Sequence, residues 1–171
     1  VVLIVRATKK LLRLTGPSTA PDQDRGTTLL GPWYATVLFW RPQVALLVNE
    51  ATLLPALLPL APASTLASRI SEQVTTVLIA HHAPAAIIDE ERRHMQTSQL
   101  GTTMNRSVVG VMTEFAHLAE IHHDADPAMD LVELAVRLAA TPCGPLYSRN
   151  FSPDRELAAT LHAISIRTPR A

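Results

Sequence analysis

The chain has 171 residues, 47% of them apolar and 18% charged, a balance that supplies a core and excludes a wholly disordered chain. Fifteen basic residues cancel fifteen acidic ones, so no overall charge draws the chain to a polyanion. Aromatics at 4% are too scarce for a base-stacking platform, and the lone Cys143 excludes an internal disulfide.

Val2 to Ala7 is β-branched and apolar, the composition of a buried strand, and Thr8 caps a short helical turn that follows. Residues 15–32, rich in Gly, Pro, Thr and Asp, have no periodicity and read as a long loop, expected to be mobile. The runs WYATVLFW (33–40) and QVALLVN (43–49), joined by Arg41-Pro42, read as a hairpin. Both runs are apolar on both faces, so the sheet must be covered on each side. The apolar stretch from Ala51 to Ala63 is broken by Pro55, Pro59 and Pro62 and is too short for a membrane helix, which needs ~18 residues. The opening VVLIV precedes its basic residues, the wrong order for a signal peptide.

Helical spacing then recurs over 65–81, 85–95 and 106–122. Asp126-Pro127 and Ser152-Pro153 each read as a cap with Pro at the first helical position, opening two further helices. The expected fold is therefore α+β, one domain over 1–171, with a small, mainly antiparallel sheet of about three strands covered by about five helices. The placement of the first strand stays open between a parallel crossover and an antiparallel return.

Three stretches, WYATVLFWRPQVALLVNEATL (33–53), TMNRSVVGVMTEFA (103–116) and LAATPCGPLYS (138–148), resemble an uncharacterised bacterial family known only as a domain of unknown function. Its pattern includes a lysine pair after the opening strand, here Lys9 and Lys10, and departs here at Thr113-Glu114 and over 55–62. The resemblance spans most of the chain and implies no activity, cofactor or partner. A bacterial source also fits thirteen arginines against two lysines.

Glu91-x-x-His94 and Glu114-x-x-His117 each place a carboxylate and an imidazole on one helix face, the element from which di-iron centres are built. With eight Glu and seven His in the chain such pairs also arise by chance, and locally stabilised surface pairs are the favoured reading. His122-His123-Asp124 and His81-His82 lie at helix ends, where histidine interacts with the dipole. Cys143 follows a helix C-terminus, the wrong end to lower a thiol pKa. No phosphate loop, nucleophile elbow or zinc motif is present.

Asn105, Arg106 and Ser107 enter an apolar helix, where a cap, first-turn N–H groups and a guanidinium suit an anion or a partner's carboxylate. Lys9 and Lys10 are candidates to complete that patch. The competing reading is that Arg106 pairs internally with Asp130, Glu133 or Glu50. The expected function is a non-catalytic, cytoplasmic binding or regulatory protein. It recognises a partner protein or small anionic ligand in preference to nucleic acid, with no membrane association and no cofactor. The alternative is a metal-dependent enzyme using Glu91, His94, Glu114 and His117, and no catalytic residue is assigned.

Overall fold

In the computed structural model, which describes residues 1–167, the first apolar run forms strand β1 (Val2–Ala7). The two runs on either side of Arg41-Pro42 form β2 (Trp33–Leu38) and β3 (Val44–Asn49). Every residue of β2 and β3 is buried, so both faces are covered, as their apolar sequence requires.

Two further strands correct the expectation of about three. β4 (Pro55–Pro59) comes from the proline-rich stretch and β5 (Thr97–Thr102) from a polar one. The sheet has order β4-β3-β2-β1-β5. β1 pairs in parallel with both β2 and β5, whereas β2-β3 and β3-β4 are antiparallel. The sheet is thus mixed rather than mainly antiparallel, and the connection after β1 is a parallel crossover.

Both new strands lie at edges, which explains their unusual sequences. Pro55 and Pro59 bound a strand with a neighbour on one side only, where a missing N–H leaves no ladder bond unmade. β5 buries only Leu100 and Gly101. Each edge meets other groups: the Gln73 carboxamide donates to Leu57 O and the Arg69 guanidinium to Pro59 O, while Thr19 N and Ala20 N both donate to Leu100 O of β5.

Among the described residues six α-helices accompany the sheet: α1 (Lys9–Thr15), α2 (Leu66–Ala80), α3 (Ala85–His94), α4 (Arg106–Ala125), α5 (Leu131–Ala139) and α6 (Pro153–Arg167). Thr8 stands before α1, but its hydroxyl pairs with Thr36 Oγ1 at 3.1 Å instead of capping the helix. Asp126-Pro127 does not open a helix either. Asp126 N bonds His122 O and ends α4, and Asp130 caps α5 by accepting from Val132 N and Glu133 N. Asp130 wins because Glu133 then falls in the first turn, where its charge suits the dipole, and Leu134, Ala135 and Leu138 turn inward. Among the described residues no helix is long and apolar enough to cross a membrane.

Residues 16–32 contain no helix or strand, yet they are tied down at intervals. The Arg6 guanidinium donates to the carbonyls of Pro21, Asp22 and Asp24. Thr27 N donates to Val2 O. At Gly26 a Cβ would sit 2.5 Å from Val2 O, and its φ of +70° is a second reason for glycine. Leu29 N and Leu30 N donate to the Glu91 carboxylate at 2.6 and 3.3 Å, and Asn49 Nδ2 donates to Leu30 O at 3.0 Å.

Candidate functional site

The start of α4 rests on β2. Asn105 accepts from Ser107 N and Val108 N at 3.0 and 3.4 Å, occupying two of the helix's orphan donors. Its own N–H donates to Tyr34 Oη at 3.0 Å, and Tyr34 in turn donates to Glu50 Oε1 at 3.3 Å. Burial pushes the Tyr34 hydroxyl above its ordinary pKa, the Asn105 N–H opposes this, and the Glu50 charge adds to it. Glu50 is also paired with Arg25. Tyr34 is therefore the post on which the helix start is fixed.

Of the three sequence candidates here, Asn105 acts as the cap and Ser107 supplies one of the N–H groups it takes. Arg106 is exposed and has no hydrogen-bond or ion-pair partner among the described residues. Each carboxylate that would pair with it internally is engaged elsewhere: Glu50 with Arg25 and Tyr34, Asp130 with the N-terminus of α5, and Glu133 with Arg137. Lys9 and Lys10 are exposed on α1. Lys10 lines a cleft of about 310 Å³ with Thr8 and Thr36 and with Met112 and Thr113 of α4, about two turns beyond Arg106, and Lys9 is not among its lining residues.

Behind the same helix start lies a cavity of about 150 Å³ lined by Arg6, Asp24, Arg25, Tyr34, Glu50 and Met104. Arg6 is not among the candidates that the sequence pattern singles out. Gly101, Arg6 and Tyr34 are successive partners across β5, β1 and β2, so they share one face of the sheet. Arg6 is 4% exposed. A Cβ on Gly101 would stand 2.6 Å from Arg6 Nη1, so the missing side chain there makes room for the guanidinium. That Nη1 is buried and has no hydrogen-bond partner. The signal in the sequence is a lone arginine inside an apolar strand, a position charged residues occupy only with a reason.

The paired Glu-x-x-His residues do not come together. Glu91 is fully buried and spends its carboxylate on Leu29 N and Leu30 N, and burial raises its pKa against the lowering effect of those donors. His94 pairs with Glu90 at 3.0 Å, and Glu114 and His117 are exposed on α4. No group of three or more His, Cys, Asp or Glu is placed to hold a metal ion among the described residues.

Cys143 is buried, and burial, followed by the Glu114 charge, pushes its thiol up to about 11. Because the thiolate is the reactive form, native protein at neutral pH is expected to react with Ellman's reagent roughly a hundredfold more slowly than a free thiol. Unfolding in guanidinium should restore the full rate; prompt reaction of the native protein would contradict this account. His123 stacks on Trp40 with ring centroids 4.2 Å apart and planes 5° from parallel, so one of the helix-end histidines packs against an aromatic ring.

A model of the family described as "Domain of unknown function (DUF6933)" matches residues 4–156. No curated protein and no solved structure matches the chain.

Proposed function

This chain belongs to the family DUF6933, a domain of unknown function, and from its own residues we propose that it is a non-catalytic binding or regulatory protein that recognises an anionic group, on a small ligand or a partner protein, at the start of α4. The observation that carries this reading is the freedom of Arg106. It is exposed beside a helix N-terminus while all three of its internal rivals are committed to other partners. A guanidinium offers a permanently charged, planar fork suited to carboxylate or phosphate, and the positive end of a 20-residue helix adds to its field. Lys10, bordering the cleft along the same helix, supplies a second cation. Nucleic acid is a poor candidate because the net charge is zero and aromatics are few. A bacterial, cytoplasmic setting is part of the proposal, supported by arginine preference and by a single cysteine that has no disulfide partner.

Arg106→Gln and Arg106→Ala are expected to change stability by no more than about 0.5 kcal/mol, since no group among the described residues loses a partner. The binding test is a thermal-shift and calorimetric titration at low ionic strength with inorganic phosphate, sulfate and malonate. Wild type should be stabilised saturably by at least one of them and the Arg106 variants by none. A large loss of stability in the variants, or anion binding that survives them unchanged, would sink the reading.

A further inference from the structure

We propose that the opposite end of α4 carries a second site, a cleft that takes an alkylated ammonium group. α4 runs alongside β2 in the same direction, with Asn105 against Tyr34 at one end and His123 against Trp40 at the other. Between the end of β2 and this part of α4 lies a cleft of about 340 Å³, lined by Val37, Phe39, Trp40, Ala116, His117 and Glu120.

Its walls combine the elements that hold organic cations. Trp40 and Phe39 offer aromatic rings, whose negative faces attract a positive charge. The stack on His123 fixes the indole. Phe39 is 61% exposed, an unusual position for a phenyl ring with no cover. Glu120 is exposed and has no ion-pair partner among the described residues, which leaves its carboxylate available to a ligand. The sequence of this part of the chain agrees in sign, residues 107–136 carrying six acids and no Lys or Arg, although Lys10 borders the adjoining cleft. Arg41, next to Trp40 in sequence, is not among the lining residues.

The chemistry selects within the cations. A bare ammonium would lose hydration against Val37, Phe39 and Ala116 that one carboxylate and the ring faces replace only in part, whereas an alkylated one carries its own apolar surface to these walls. The ligand class is therefore a quaternary or methylated amine, free or borne on a lysine side chain.

Trp40 itself reports on occupancy, because the other tryptophan, Trp33, is fully buried. Titration with tetramethylammonium chloride at about pH 8 should change Trp40 emission saturably, and sodium chloride at equal ionic strength should not. Phe39→Ala and Glu120→Gln should each weaken binding about fivefold or more while leaving the thermal midpoint of the unliganded protein near that of wild type, since both side chains are exposed. A pentapeptide containing trimethyl-lysine forms the second arm: tighter binding than tetramethylammonium assigns the group to a modified protein, weaker binding to a free amine. The proposal is overturned if sodium chloride reproduces the signal, if neither probe binds, or if the two variants bind as wild type does.

Discussion

Asn49→Ala is expected to destabilise the protein by about 3–4 kcal/mol, lowering the thermal midpoint by roughly 10 °C. Asn49 is 0% exposed at the end of β3, and all of its side-chain hydrogen-bonding atoms are engaged. Nδ2 donates to Leu30 O and Pro32 O, and Oδ1 accepts from Ala51 N, Thr52 N and Thr52 Oγ1. One carboxamide thus joins the end of the 16–32 loop to the β3-β4 turn. Truncation removes the side-chain donor to Leu30 O on one side and the acceptor for Ala51 N, Thr52 N and Thr52 Oγ1 on the other, most of them out of reach of water. Asn49→Asp tests the same point with the shape retained: it turns the donor facing two carbonyls into a third acceptor and should cost as much. Denaturant melts of both variants provide the check, and a loss below about 1 kcal/mol in either would refute this account.

The second large effect is expected at the Arg6 and Gly101 pair. Gly101→Val should cost on the order of 2–4 kcal/mol, because its first side-chain carbon meets Arg6 Nη1 at 2.6 Å. The guanidinium is the far end of a long side chain and would ordinarily move aside. Here it is held by the carbonyls of Pro21, Asp22 and Asp24, so any displacement breaks charge-assisted bonds that anchor the loop. Arg6→Met should also destabilise, and should open residues 16–32 to proteolysis. The two losses are coupled: with methionine at position 6 there is no Nη1 to collide with, so the double variant should lose clearly less than the sum of the singles. Simple additivity would show that the two residues do not act through each other.

What the sequence made legible follows from how strongly each segment's burial is written into its residue types. β2 and β3 were readable because every position is buried and nearly every residue apolar. α4 was readable from Val108, Val111, Met112, Phe115 and Ala119, which mark one face. β4 was hidden because Pro55 and Pro59 read as breakers, although an edge strand tolerates them at its ends. β5 was hidden because Thr97, Ser98 and Gln99 carry no apolar alternation. Asp126 and Asp130 both offer a cap, and Glu133 in the first turn together with the packing of Leu134 and Leu138 decides between them. For the candidate site, Arg106 was visible as a cation at a helix start. Arg6 stands out only as a charge inside an apolar strand, because its role exists through the pairing of distant strands that sets it between Gly101 and Tyr34. The freedom of Arg106 was invisible, since it depends on what Glu50, Asp130 and Glu133 do instead.

The bonds made by Gln73, Arg69, Thr19 and Ala20 to the outer strands bear on what the molecule does in a crowd. A sheet with bare outer strands offers two ready templates for further chains, the route to fibrils and swapped dimers. Here one border begins and ends in proline and has Leu57 and Pro59 carbonyls already occupied, and the other is interrupted at its centre by the two N–H groups that hold Leu100 O. Strand-by-strand polymerisation must therefore first strip away α2 or lift the 16–32 loop. That couples resistance to aggregation to the same loop anchors that Arg6 and Asn49 provide.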